Sequence, residues 1–283
     1  MPDRPILVLT ATGGQGRAVT AALLDRGAEV RALVRDPGSP GAQALRGRGV
    51  EVVSGLLEDA DSLTGAMRGV MGVFALTTPF ESGPAAEVAQ GRAILAAVRD
   101  ADVPHLVFSS VAGAGQRTGV PHFDSKAIVE SEVRTSRVPY TILGPTYFFD
   151  NALGDQERIL AGSLDLPLPS DRPLQQLARS DHGAFAAEVL VHPEKYVGRR
   201  IELASDAPTP MEMARSLSDA VGLEVRHNRF PLETISNPDM HAMWEFLNGP
   251  GYQVDITALH AGHPEIGWTS FAAWTQQVFG YAA

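Results

Sequence analysis

Short apolar runs alternate with segments of helical periodicity through the first half of the chain. Ile6-Leu7-Val8-Leu9 is the first such run, and Val19, Leu23 and Leu24 then recur at helical spacing. Glu29 to Val34 predicts a second strand, stopped by Pro37-Gly38, and a helix follows across Ala42 to Arg48. Val50 to Ser54 predicts a third strand, with a helix around Leu63 and Met67, and Gly72 to Leu76 a fourth. A long helix from Ala85 to Asp100 carries Val88, Ile94, Leu95 and Val98 on its core side. Val103 to Ser109, a helix from Phe123 to Ser136 and a strand Tyr140 to Leu143 complete the series. Such alternation with short connections predicts an α/β fold: a Rossmann-type doubly wound parallel sheet.

The alternation stops near Asn151. Beyond it, helices are predicted near Glu157 to Ala161, Asp181 to Val191, Met211 to Val221, Met240 to Leu247 and Phe271 to Phe279, with short strands at Arg200 to Leu203 and Val225 to Phe230. Pro-rich segments such as Leu166-Pro167-Leu168-Pro169 link them. This divides the chain into a Rossmann-type domain, residues 1–150, and mainly a smaller C-terminal α/β lobe, residues 151–283, some segments of which return to the first domain. A lobe folded over the strand tips brings Phe148, Phe149, Met243 and Trp244 either to a ligand wall or into its own core.

The turn after the first strand, Thr10-Ala11-Thr12-Gly13-Gly14-Gln15-Gly16, suits a dinucleotide. Glycines let backbone N–H groups approach a pyrophosphate, and the helix that opens there adds its positive dipole end. Thr10 stands where the dinucleotide fingerprint has its first glycine, and as a β-branched residue it is expected to keep a negative φ. After the second strand, an arginine accommodates a 2′-phosphate where an acidic residue would bind a free ribose hydroxyl, so Arg35 points to NADP(H); its other reading is a solvated partner of Asp36. Asp59 has two readings, a ligand of the adenine amino group or a carboxylate at a helix start. Thr77-Thr78-Pro79-Phe80 ends the fourth strand, where ligands of open parallel sheets lie.

Composition narrows the chemistry. The 283 residues include no cysteine, which removes disulfides, thiolate metal sites and thiol catalysis, so redox chemistry needs a cofactor. A net charge of −10 opposes direct nucleic-acid binding. No apolar stretch approaches the roughly 20 residues that span a bilayer. Met1 leads through Asp3-Arg4 straight into a strand, without a signal-peptide pattern, and a cytoplasmic location is expected. The eight histidines are scattered, and His260 and His263 flank Gly262, so no metal site is expected.

Ser109-Ser110 closes the fifth strand, and His122-Phe123-Asp124-Ser125-Lys126 stands at the start of the next helix. With the LTATGGQG turn, Arg35, the Tyr147-Phe148-Phe149-Asp150-Asn151 segment, His192 to Gly198 and Gly262-His263-Pro264, these features resemble the NmrA-like family of atypical short-chain dehydrogenase/reductases. That family contains redox-sensor proteins and NAD(P)H:quinone oxidoreductases.

The resemblance implies a cofactor site at the turn from Thr10 through Thr12, Gly13, Gly14, Gln15 and Gly16. It places Arg35 on the 2′-phosphate and Thr77 and Thr78 at the nicotinamide-side ribose, with Tyr147 and Phe148 bordering the cofactor. Lys126 takes the lysine place of the short-chain Tyr-x-x-x-Lys motif, and His122 takes the tyrosine place. Ser110, His122 and Lys126 are therefore the candidate catalytic residues. His122 reads either as a proton donor or as a structural residue at a helix start. The expected activity is NADPH-dependent hydride transfer to a small conjugated acceptor: a quinone, enone or imine. The competing expectation is a non-catalytic NADP(H)-binding redox sensor acting through a protein partner, and a homodimer is an assembly open to either.

Overall fold

The structure is a computed structural model describing residues 4–280; Met1 and Asp3, at the start of the reading above, lie outside the described residues. Ile6–Val8 forms β1, and Ile6, Leu7, Val8 and Leu9 are all essentially inaccessible. A strand this apolar on both sides belongs in the middle of a parallel sheet covered on both faces. Ile6 and Val8 pack with Val19, Leu23 and Phe185 on one face, and Leu7 and Leu9 with Leu63, Met67, Ile94 and Val98 on the other.

The remaining elements follow the predicted alternation closely: α1 (Gly14–Asp25), β2 (Val30–Val34), α2 (Pro40–Gly47), β3 (Glu51–Ser54), α3 (Ala60–Met67), β4 (Gly72–Leu76), α4 (Gly83–Asp100), β5 (Leu106–Ser109), α5 (Pro121–Thr135) and β6 (Tyr140–Pro145). Helix α5 starts two residues before its predicted Phe123, because Pro121 with its fixed φ opens the first turn. That puts His122 and Lys126 one turn apart on one helix face.

After β6 come β7 (Tyr147–Phe148), α6 (Gln156–Leu160), β8 (Ser163–Asp165), β9 (Gln176–Leu177), α7 (Arg179–Val191) and β10 (Arg200–Leu203). The chain ends with α8 (Pro210–Val221), β11 (Arg226–Asn228), α9 (Pro238–Asn248), α10 (Ile256–Gly262) and α11 (Phe271–Phe279). β10 pairs with β6, giving a seven-stranded parallel sheet of order β10-β6-β5-β4-β1-β2-β3. α7 lies against α1, with Gly183 so near the Ala18 carbonyl that a Cβ would stand 2.5 Å from its oxygen. Residues 179–203 thus complete the sheet and the helix layer beside α1. Two small pairs, β7 with β9 and β8 with β11, lie outside the sheet. A separate core of Phe149, Leu164, Met213, Leu217, Phe246, Phe271, Trp274 and Phe279 holds the second lobe.

The β1–α1 turn corrects one expectation: Thr10 has φ of 55°, the left-handed region, rather than a negative φ. The Gly13 N–H donates to the Thr10 carbonyl at 2.8 Å, and Gly16 packs so tightly on that carbonyl that a Cβ would sit 2.3 Å from its oxygen. The tight turn dictates the dihedral, and the β-branched residue bears the strain. A left-handed L-residue costs about 1–2 kcal/mol, partly offset by the greater unfolded-state freedom of glycine. Thr10→Gly is therefore expected to raise stability by about 1 kcal/mol, read as an increased thermal midpoint; a lowered midpoint would overturn this account.

Candidate cofactor and substrate cleft

One cleft of about 810 Å³ runs along the carboxyl ends of the strands. It lies where the strand order reverses between β1 and β4, the place at which doubly wound sheets bind ligands. At one end are Thr10, Thr12, Gly13, Gly14 and Gln15 of the turn, together with Leu33 to Arg35 and Gly55 to Glu58. Gly16 lies beneath, as the glycine that lets α1 close on the turn. Helix α1 has no side-chain cap at Gly13, so its first N–H groups remain for a ligand. Ser109 donates to Gln15 Oε1 at 2.7 Å and fixes that side chain.

Arg35 lines this end, with its Nη1 3.1 Å from Glu81 of the β4–α4 loop. The side chains are 72% and 62% exposed, so the pair is weak and a phosphate can displace the carboxylate. Asp59 does not reach the cleft lining: its carboxylate accepts from the N–H groups of Asp61 and Ser62 and caps α3, the second of its two readings. The lining carboxylate is Glu58, which accepts from Gln90 Nε2 at 2.6 Å.

Thr77, Thr78, Ser110, His122 and Lys126 meet in the middle of the cleft. Lys126 Nζ donates to Glu87 Oε1 at 2.6 Å and to the Thr77 carbonyl at 3.0 Å. Glu87, fully buried on α4, also accepts from the hydroxyls of Thr77 and Ser125. Lys126 therefore enters the cleft already paired. The Thr78 N–H donates to Gln90 Oε1. The Ser110 hydroxyl is buried and lacks a partner in the protein. His122 Nδ1 lies 2.6 Å from Asp239 Oδ1 on α9, and the ring packs edge-on to Phe123. Burial holds its pKa below the usual 6.5, although Asp239 pulls the other way.

The far end is apolar: Phe80, Phe123, Tyr147, Met240, Met243, Trp244 and Tyr252. Burial pushes the Tyr147 phenol up to about 12, so it stays a neutral O–H. Phe148 lines the cleft beside it, whereas Phe149 turns into the lobe core against Phe271 and Trp274.

Arg179, the first residue of α7, is a cleft residue that sequence reasoning missed. Its guanidinium lies over the turn, so that a Cβ on Gly14 would come within 2.8 Å of it. It also covers the Phe148 ring and stands 3.6 Å from Asp150. Its only sequence signal is a basic residue at a helix start, and the approach to the turn is purely tertiary. The residues fit a dinucleotide: an open helix N-terminus, a guanidinium beside it, and buried Thr10 Oγ1, Ser110 Oγ and Arg179 Nε without partners in the protein.

Elsewhere, His182 is buried between Phe74 and Phe148, and burial pushes it down to about 3. His260 stacks on Trp268 and bonds the Ala204 carbonyl. No helix among the described residues is long and apolar enough to cross a membrane.

A (4-alkanoyl-5-oxo-2,5-dihydrofuran-3-yl)methyl phosphate reductase of Streptomyces griseus is 34% identical over 225 residues, 78% of this chain and 75% of the relative. An NAD(P)H azoreductase of Xenophilus azovorans is 28% identical over 229 residues, 81% of this chain and 78% of the relative. An NADPH-dependent quinone oxidoreductase of Escherichia coli, solved with NADPH, has the same fold at a TM-score of 0.81 and 24% identity, covering 97% of this chain and 99% of that one. The model of the NmrA-like family matches residues 2–260, and the chain belongs to that family.

Proposed function

We propose that the protein reduces a flat, uncharged conjugated acceptor, a quinone, enone or imine, with NADPH. It is an oxidoreductase, and its cofactor is NADP(H). The observation that carries the reading is the continuity of a single cleft, from the glycine turn and Arg35, past Ser110, His122 and Lys126, to an aromatic and methionine-lined end. When bound, NADPH supplies the hydride. The turn N–H groups and Arg179 hold the diphosphate, and Arg35 the 2′-phosphate. Lys126 sets the nicotinamide-side ribose, its charge balanced by Glu87. Tyr147 and Trp244, with ring centroids 5.6 Å apart, form a wall for a flat acceptor and exclude water from it. His122 supplies the proton that accompanies hydride arrival.

The Streptomyces relative is named for a phosphate-bearing furanone. At the aromatic end here, the lining is Phe80, Phe123, Tyr147, Met240, Met243, Trp244 and Tyr252, and the nearby Lys126 is already paired by Glu87. An uncharged acceptor is the better fit. The test is to follow NADPH oxidation by purified protein with quinones, enones and cyclic imines. Turnover with one of these classes is expected; nucleotide binding without consumption of NADPH by any acceptor would return the sensor reading.

Cofactor choice gives a separate prediction. Charge-assisted hydrogen bonds contribute about 1.5–3 kcal/mol, and Arg35 is exposed and shared with Glu81, so the low end applies. Calorimetry should show NADPH bound about tenfold more tightly than NADH, and Arg35→Glu should abolish the preference. Equal affinities in the unmodified protein would sink the assignment of Arg35.

A further inference from the structure

His122 and Asp239 are each the second residue of a helix, α5 and α9, and 117 positions separate them in the chain. The Asp239 carboxylate oxygen accepts twice, from His122 Nδ1 at 2.6 Å and from the His122 backbone N–H at 3.2 Å. Asn237 caps the same turn by accepting from the N–H groups of Asp239 and Met240, so the carboxylate stands on a fixed helix start. One turn further, Met243 of α9 joins Met240 in lining the aromatic end of the cleft.

The imidazole is held on three sides: Phe123 lies edge-on with its centroid 4.7 Å away, Phe80 covers it at 5.7 Å, and Asp239 takes Nδ1. Nε2 is then the ring nitrogen left for the cleft. Three charged groups act on the ring: Asp239 from α9, Lys126 one turn along α5, and Glu87 from α4. Lys126 and Glu87 are paired with one another, so their effects on the ring largely cancel. The uncompensated charge facing a buried imidazolium is that of Asp239.

We propose that Asp239 is a positioning residue that fixes His122 with its proton on Nδ1 in the neutral form and stabilises the imidazolium that delivers a proton from Nε2. The inference rests on the reading of His122 as proton donor. In the reduction, the acceptor takes one hydride from NADPH at carbon and one proton from Nε2 at oxygen or nitrogen. The nicotinamide leaves as NADP+, the imidazole becomes neutral, and solvent returns its proton. The donating form exists below the His122 pKa, so turnover falls as pH rises through it. Without the Asp239 charge, that fall moves to lower pH.

The experiment uses the full chain with saturating NADPH and the best enone or imine acceptor, whose reduction needs the acid. It compares wild type, Asp239→Asn and Asp239→Glu by pH dependence of kcat/KM, and follows the His122 ring titration by NMR. An opposite charge at contact distance moves a pKa by about one to three units. Asp239→Asn should therefore lower both midpoints by about one unit, cut kcat near neutral pH about tenfold, and leave the Kd for NADPH within about twofold. Asp239→Glu, which keeps the charge, should restore most of the rate and the wild-type pH profile. Unchanged titration and profile in Asp239→Asn would overturn the proposal. A shifted titration in Asp239→Asn, combined with wild-type turnover in His122→Ala, would instead overturn the donor reading and, with it, the catalytic role given to Asp239.

Discussion

Replacing His122 by alanine is expected to lower turnover by about 10² to 10⁴, the usual contribution of a positioned acid, while the Kd for NADPH stays nearly constant. The separation follows from position. His122 stands near the middle of the cleft, bordered by Phe80 and Phe123 of the apolar end, and its hydrogen bonds go to α9. Of the groups assigned to the cofactor, the glycine turn, Arg35 and Arg179 lie toward the other end, and Lys126, one turn along α5, is held by Glu87 and Thr77 rather than by His122. The size of the loss also reports on the acceptor. A quinone reduced by hydride gives a stabilised oxyanion and needs little help from an acid, so with quinones the loss should shrink below about tenfold, within the reach of misplacement alone. An enone or imine should show the full effect. Steady-state rates with one acceptor of each class, and calorimetry for NADPH, make the measurement; a variant that loses NADPH binding along with activity would show that His122 contacts the cofactor instead.

Glu87→Ala should destabilise the protein by about 3–5 kcal/mol, the cost of leaving one partner of a buried ion pair alone. Glu87 is wholly inaccessible, and Lys126, with an 11% exposed side chain, depends on it for charge balance. The same substitution strips the hydroxyls of Thr77 and Ser125 of their acceptor. A fall in melting temperature on the order of 10 °C is expected for a chain of this size, and a change under 2 °C would contradict it. The double variant E87L/K126M offers a sharper test. An apolar pair of similar volume removes the desolvation cost of both charges, so much of the stability should return while activity stays low. Recovered stability without recovered activity would mean that the pair is retained for the ammonium it holds at the cleft.

The central sheet was legible because β1, β2 and β4 to β6 are short runs dominated by apolar residues, the signature of parallel strands covered on two faces, while the edge strand β3 shows only Val52 and Val53. The turn composition likewise pointed to the nucleotide end of the cleft. What the sequence could not show are dihedrals and long-range approaches. Thr10 was expected to keep a negative φ, yet it adopts 55°, in the left-handed region that glycine favours. The alternation of apolar residues on α4 concealed Glu87 and Gln90, buried polar residues on the same helix that organise Lys126 and Thr78. Helix α10 was missed because it buries none of its residues and so carries no apolar period. Arg179 reaches the cleft, and Asp239 reaches His122, only through packing between elements far apart in sequence.

The return of residues 179–203 to the sheet bears on how the protein is made. When β6 has left the ribosome, its outer side has no pairing strand and the outer face of α1 has no cover. Both are closed only by α7 and β10, and α7 also delivers Arg179 to the glycine turn. Contacts closed over such long stretches of chain form slowly. A nascent chain therefore passes through a stage with β6 unpaired on one side and the cleft unfinished. A ligand that binds only the finished site draws this equilibrium toward the folded state, so a nucleotide held in the completed cleft would raise the yield of folded protein.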